Sequence, residues 1–103
     1  MRALTWDDFA QAEGRAYRVR LVEVVQGEPE PRQFEIELVL AKASVLPSGM
    51  REGQSFRLEF LGPQTPILPQ ACYILEHGNK ADEIFIVPVA SDAQGTTYEA
   101  IFN

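Results

Sequence analysis

Six stretches in which apolar and polar residues alternate, separated by short turn-like segments, limit the fold of this chain more than any other feature. The clearest is "FEIELVL", in which every second residue from Phe34 to Leu40 is apolar and the glutamates fall between. Successive side chains of a β-strand point to opposite faces of a sheet, so a period of two indicates half-buried strands. We predict strands over about residues 15–25, 33–45, 54–61, 71–77, 83–89 and 97–102.

The connections between these strands determine how the strands pair. They span about five to nine residues, too short for the helical crossovers that parallel neighbours need, so sequential strands should pair antiparallel. Six strands in a single domain of residues 1–103 must close into a small barrel or fold into a sandwich to protect their edges. The predicted fold is therefore mainly β, as a six-stranded antiparallel barrel or sandwich.

Two places depart from regular alternation. Val22, Val24 and Val25 extend the apolar character of the first strand to both faces, which indicates a bulge or two-sided burial near Leu21. Pro88 lacks the backbone N–H that strand pairing uses. The fifth strand should therefore bulge or reach an edge of the sheet at Pro88.

The segment before the first strand indicates one short N-terminal helix over about residues 5–13. Thr5 and Asp8 have the spacing of a capping box, and Trp6 and Phe9 share one apolar face. About two turns are too few for a helix that is stable alone. We therefore expect this helix to plug one open end of a barrel or to cover one face, anchored by Trp6 and Phe9.

Charge and composition exclude several classes of function. The net charge is −6, and from residue 62 onward five acidic residues stand against a single base, Lys80, so this half should repel a phosphate backbone. No apolar run approaches the roughly 20 residues that span a bilayer, and the N-terminus lacks the pattern of a secretory signal. We expect a cytoplasmic protein that binds neither nucleic acid nor a membrane.

Residues that could form a metal site or a nucleophile–base pair are few. One cysteine, Cys72, excludes an intrachain disulfide, and with one histidine, His77, the chain cannot build a structural zinc site alone. Cys72 and His77 are five residues apart, so on a regular strand they face opposite sides. We therefore expect a buried thiol and a histidine at a strand end rather than a catalytic pair.

Carboxylate pairs could in principle perform general acid–base chemistry. The candidates are Glu76 with Glu99 and Glu35 with Glu37, and alternation places all of them on the solvent face of a strand. The segment "GMREG" also lacks the lysine and hydroxyl residue of a phosphate-binding loop. We therefore predict no catalytic, metal-binding or cofactor-binding residues, and a protein that is not an enzyme.

The stretch "GPQTPILPQ", from Gly62 to Gln70, joins the third and fourth predicted strands. Proline favours turns and extended geometry, and it lowers the entropy lost when a loop becomes ordered. Such a loop can present apolar side chains to a partner, or tuck them over the end of a barrel as a lid, which is the commoner arrangement. The candidate interaction residues are Pro63, Pro66, Ile67, Leu68 and Pro69.

Several motifs resemble a family of short uncharacterised bacterial proteins, which is a domain of unknown function. They are "LPQ-x-x-Y-x-L-E-H" at residues 68–77, "F-x-VP" at residues 85–88 and "YEA-x-FN" at residues 98–103. The resemblance covers most of the chain and is most specific after residue 56. It implies an association with phage-tail-collar-like proteins, and hence an accessory or structural part of a phage-tail-like assembly. It supplies no catalytic residues.

Two hypotheses of function follow. The first is a non-enzymatic interaction or structural module that works through a protein partner or self-association, because polar sites are lacking, one loop is rigid and apolar, and the last predicted strand could pair with a neighbour. The alternative is a small-ligand carrier, a barrel covered by the helix and the proline loop. A filled interior would exclude such a ligand, and the side chains expected to fill it are Phe34, Leu38, Phe56, Phe60 and Tyr73.

Overall fold

The computed structural model describes residues 3–47 and 55–103. In them, the strands are β1 (Ala16–Glu23), β2 (Arg32–Val45), β3 (Phe56–Gly62), β4 (Ala71–His77), β5 (Lys80–Asp92) and β6 (Gly95–Phe102). All neighbours pair antiparallel, and the strands close into a barrel in the order β1–β2–β3–β6–β5–β4. The prediction of a mainly β, six-stranded antiparallel fold is confirmed, and the architecture is a barrel rather than a sandwich.

β5 is longer than the alternation predicted. It begins at Lys80, three residues before the predicted start, because Gly78 and Asn79 alone form the turn and His77 already pairs with Lys80. Two-residue turns of this kind suit a tight hairpin, since their twist matches that of the flanking strands. The predicted connection "GNKAD" therefore belongs largely to β5. Residue 54, the first of the predicted third strand, lies outside the described residues.

The predicted helix over residues 5–13 is wrong. Only a 3₁₀ turn, η1 (Trp6–Asp8), forms there, although Thr5 N–H does donate to Asp8 Oδ2 at 2.7 Å as the capping box requires. Leu4 before the turn and Phe9 and Ala12 after it pack into the core. The backbone bonds that follow also span three residues, from Phe9 N–H to the Trp6 carbonyl and from Ala12 N–H to the Phe9 carbonyl, so the segment continues as tight turns rather than as an α-helix.

The N-terminal segment covers one end of the barrel. The Phe9 ring centroid lies 5.8 Å from that of Phe56 and 6.3 Å from that of Phe102, and Trp6 lies 6.0 Å from Phe56. Phe56 and Phe102 are register partners at the start of β3 and the end of β6, and their rings stack at 4.5 Å. The expectation that this segment plugs an open end therefore holds, with Phe9 as the central anchor.

Inward-facing side chains fill the barrel. Tyr17 and Tyr98 are almost fully buried, and the Tyr17 ring meets that of Phe60 edge to face at 5.6 Å. The prediction that Phe34 lies inside the barrel is wrong, because this side chain is 37% exposed where β2 extends past the barrel. Tyr73, also expected inside, is only half-buried. The fully enclosed members of the core include Val19, Leu38, Leu40, Phe56, Leu58, Phe60, Leu75, Ile84 and Ile86.

Register shifts occur at two places. The one between Pro88 and Ala90 in β5 confirms the predicted irregularity at Pro88. The other lies in β2, between Leu40 and Lys42. A bulge or two-sided burial near Leu21 was predicted and is wrong, because β1 pairs with β2 without interruption and Val22 is 64% exposed.

Candidate functional site

The proline loop joins β3 to β4 at the end of the barrel opposite Phe9. Leu68 is buried and its N–H donates to Tyr98 Oη at 2.9 Å, whereas Ile67 is 51% exposed. Tyr73 Oη donates to the Pro69 carbonyl at 2.7 Å, which fixes the far side of the loop. Leu68 therefore closes this end of the core, while Ile67 faces solvent.

The prolines of this loop lie at its surface. Pro66 and Pro69 are exposed, Pro63 is half-buried, and the Thr65–Pro66 peptide bond is cis. Of the five predicted interaction residues, Leu68 is thus directed inward and the others remain accessible to a partner. A role of this loop in binding stays a prediction.

A polar cluster occupies the opposite end of the barrel. Arg15 Nη1 lies 3.3 Å from His77 Nε2 and 3.4 Å from Tyr17 Oη. A guanidinium can only donate, so His77 Nε2 accepts and the neutral ring carries its proton on Nδ1. Asp7, Asp8, Phe9, Lys80 and Asp82 complete a surface cavity of about 190 Å³.

The environment of this cluster shifts two pKa values. Burial, followed by the positive charges of Arg15 and Lys80, lowers the pKa of His77, while Asp82 opposes the shift. Burial raises the pKa of Tyr17, against the hydrogen bond and charge of Arg15. The sequence analysis did not predict this cluster. Alternation does place both Tyr17 and His77 on the inward faces of their strands, and this could have indicated it.

We expect His77 to make the stability of the fold depend on pH. Because its folded-state pKa is lowered, the unfolded chain binds a proton more readily, so stability is fully present above about pH 6.5 and is lost as the pH falls toward the folded-state pKa. His77→Gln should remove this pH-dependent part of the free energy of unfolding. The measurement is the free energy of unfolding of both proteins across the pH range from about 8 to 5. A wild-type protein that gains stability relative to His77→Gln on acidification would contradict it.

The predicted separation of Cys72 from His77 is what the structure shows. Cys72 is exposed on the outside of the barrel, which corrects the expectation of a buried thiol. His77 instead turns inward, its ring meeting that of Tyr17 edge to face at 5.3 Å. The two side chains are therefore on opposite faces of β4.

Two of the carboxylates considered for catalysis, Glu76 and Glu99, are each paired with an arginine rather than with each other. Glu76 forms an ion pair with Arg20, its Oε2 3.1 Å from Arg20 Nε, and Glu99 accepts from Arg57 Nε at 2.6 Å. Glu35 and Glu37 are exposed on β2. Among the described residues, no group of three or more histidine, cysteine, aspartate or glutamate side chains could hold a metal ion.

Apolar side chains are exposed on the outside of β4 and β5. Ile74 is 46% and Phe85 51% exposed, and Phe85 is the register partner of Cys72. Cys72, Ile74, Phe85 and the half-buried Val87 form one surface, which we call the β4–β5 patch. An apolar patch of adjacent side chains on a protein surface is a typical feature of an interaction site.

The barrel is weakly closed between β1 and β4. Every residue of β1 has a register partner in β2, but within the described residues only Arg18 has one in β4, namely Glu76. Continuing that register would place Arg20 opposite Ile74 and Val22 opposite Cys72, yet neither pair forms. We call the unpaired stretch, between residues 20–23 and 71–75, the open seam.

A shallow depression of about 340 Å³ lies on the β1–β2 hairpin beside the open seam. Its lining comes from the end of β1 and the start of β2, where Leu21 and Phe34 are register partners. The residues that line it are Arg20, Leu21, Val22, Gln33, Phe34 and Glu35. The depression combines apolar and polar side chains and includes no residue of β4 or β5.

Comparison with protein families assigns this barrel to a group. The family model described as "Domain of unknown function (DUF6916)" matches residues 4–102. The chain belongs to this family. The match extends from the N-terminal plug to the end of β6, so the whole barrel is the family's domain.

Further comparisons add no relative. No curated protein and no solved structure matches the chain. Over the described residues, no helix has the length and apolar character needed to cross a membrane.

Proposed function

We propose that this DUF6916 protein is a non-enzymatic interaction module that binds a protein partner through the β4–β5 patch. The observation that carries the proposal is the contrast between a filled barrel interior and an exposed aromatic and aliphatic pair outside it, Phe85 and Ile74. Removing apolar surface from water contributes about 25 cal/mol per Å². Aromatic anchors near the centre of an interface usually contribute most of its binding energy.

The filled interior argues against the alternative of a small-ligand carrier. Ligand sites are usually concave spaces of about 300–1,000 Å³ that enclose most of the ligand. Here the barrel axis is occupied by buried rings such as Tyr17, Phe60 and Tyr98, and its ends are covered by Phe9 and Leu68. The 340 Å³ depression lies on the outer hairpin rather than along this axis.

We further propose that the partner belongs to a phage-tail-like assembly, in which this protein is an accessory part. The support is the resemblance of its motifs to proteins associated with tail-collar-like proteins. A small barrel that is packed throughout also suits a structural role, because its surface is its main means of recognition.

Replacement of Phe85 tests the interaction. Wild-type protein, Phe85→Lys and Ile67→Lys would each be used to capture partners from the source organism, and Ile67 is the matched control because both side chains are 51% exposed. We expect the wild type and Ile67→Lys to retain one defined partner and Phe85→Lys to lose it, with a reduction in affinity of about tenfold or more.

Two outcomes would contradict this assignment. Loss of the partner with Ile67→Lys alone would transfer the binding site to the proline loop, as the sequence allowed. A wild-type protein that is strictly monomeric and captures no partner under any condition would overturn the interaction module itself. Light scattering of the purified protein measures the self-association that capture would overlook.

A further inference from the structure

We propose that the open seam between β1 and β4 binds an extended, apolar segment of the partner, flanked by basic residues, by β-strand addition. The proposal rests on the proposed function and specifies how the partner is held. Its basis is an incomplete barrel closure, with a single register pair, Arg18 with Glu76, where the other neighbouring strands share a long ladder.

The backbone of the open seam defines the chemistry of its occupant. A strand edge without a partner presents a row of N–H and C=O groups, and an extended main chain is the natural complement of such a row. Residues 71–75 pair with β5 on one side only, and residues 20–23 pair with β2 on one side only. Both edges therefore have the length to pair with an added strand of about four or five residues.

The ion pair between Arg20 and Glu76 marks where the opening begins. Arg20 Nε lies 3.1 Å from Glu76 Oε2, next to the last register pair of the two strands. Beyond it, toward Glu23 and Ala71, no register pair forms. The seam is therefore closed at the His77 end and open at the end where the proline loop enters β4.

Side chains beside the seam favour an apolar strand. On the outer face Val22 and Ile74 are exposed, and on the inner face Phe34 is exposed while Leu21 and Tyr73 are half-buried. Because successive side chains of an added strand point to opposite faces, both sets of its side chains would meet apolar surface. This favours a segment rich in valine, isoleucine or threonine.

Charge around the seam favours a basic flank and disfavours a second copy of this chain. Glu23, Glu35 and Glu83 are exposed around the opening, and Glu83 is the register partner of Ile74. The cations nearest to them, Arg20 and Arg32, already form ion pairs with Glu76 and Glu28. Pairing the same edge of two chains would bring these carboxylates together, and each chain carries a net charge of −6. Like charges placed opposite each other on paired strands are destabilising, whereas lysines flanking the segment would meet the glutamates favourably.

A synthetic peptide, KVTVIVTVK, tests strand addition directly. We expect it to bind the full chain in a fluorescence anisotropy titration and to protect backbone amides of residues 71–75 and 20–23 from hydrogen exchange. The same peptide with alternate amides N-methylated keeps its side chains but loses every second backbone donor, that is, the donors along one edge of the strand. It should bind at least about tenfold more weakly, a difference of about 1.4 kcal/mol.

Ile74→Lys and Ile101→Lys form a matched pair of variants. The two isoleucines are 46% and 49% exposed, but Ile101 lies on β6, away from the seam. Ile74→Lys places a cation where the peptide lysines dock, so we expect affinity to fall about tenfold or more, while Ile101→Lys leaves it within about twofold. Circular dichroism establishes that both variants fold, and the N-methylated peptide tests the proposal on unaltered protein.

Several results would overturn strand addition. Failure of the peptide to bind, equal binding of the N-methylated peptide, or protection confined to other strands would each do so. A wild-type dimer that Ile74→Lys dissociates would assign the seam to a second copy instead. Partner capture that depends on Phe85 does not require the peptide, so the interaction function could stand while strand addition fails.

Discussion

We expect Gly95→Ala to destabilise this protein by about 2–6 kcal/mol, the sum of a strained backbone and a steric clash that each cost about 1–3 kcal/mol. Gly95 starts β6 with a φ of +142°, which side-chain-bearing residues rarely adopt. A Cβ at this position would lie 2.2 Å from the Gly62 carbonyl oxygen, a backbone atom that cannot turn aside. Gly62 belongs to β3, so β3 and β6 would have to move apart at this point.

Gly27→Ala is the control that separates the two costs. Gly27 also has a positive φ, +90°, but nothing lies within 4 Å of a Cβ placed there. It should therefore show only the backbone cost of about 1–3 kcal/mol. The measurement is urea unfolding of the three proteins with equal m-values. Equal losses for Gly95→Ala and Gly27→Ala would mean that the contact with Gly62 is relieved without cost.

Phe9→Ala should lower the free energy of unfolding by about 3–5 kcal/mol, the usual cost of removing a buried phenylalanine ring. Phe9 is 1% exposed and contacts the rings of both Phe56 and Phe102, so the alanine would leave a cavity at the end of the barrel. The loss would show that the N-terminal segment belongs to the folding unit rather than lying on its surface. Gln11→Ala, an exposed neighbour, should change stability by no more than about 0.5 kcal/mol.

Fluorescence distinguishes global unfolding from local release of the plug. Trp6 is the single tryptophan and lies 6.0 Å from Phe56, so its emission reports on the plug alone, whereas far-ultraviolet circular dichroism reports on the strands. We expect the two transitions of Phe9→Ala to coincide at a lower urea concentration than in the wild type. A fluorescence transition that precedes the loss of strand signal would instead show that the plug detaches by itself.

Alternation located the strands because it follows from backbone geometry. Each run with a period of two has one face that must be buried, and the short connections leave antiparallel pairing as the arrangement that the chain length permits. The irregularity at Pro88 was likewise predictable, since proline lacks a donor whatever surrounds it. The helix over residues 5–13 was not, because so short a segment takes its period from the surface on which it packs.

The candidate sites depended on contacts that alternation cannot give. The spacing of Cys72 and His77 predicted that they face apart, but nothing in the sequence places Arg15 3.3 Å from His77 across 62 residues of chain. The proline loop could equally have covered the core or faced a partner, and only its packing directs Leu68 inward and Ile67 outward. Burial of Phe34 was expected because alternation puts it on the inward face of its strand. Alternation does not say, however, where a strand extends beyond the barrel.

The sequence by itself determined a β-rich chain of six antiparallel strands, because side-chain period and connection length are local properties. The tertiary structure decided that the strands close into a barrel, which ends are plugged, and that the closure between β1 and β4 stays incomplete after Arg18 and Glu76. Closure depends on the stagger and tilt of all six strands together. No single segment contains that information, and for this reason the open seam could be found only in the folded chain.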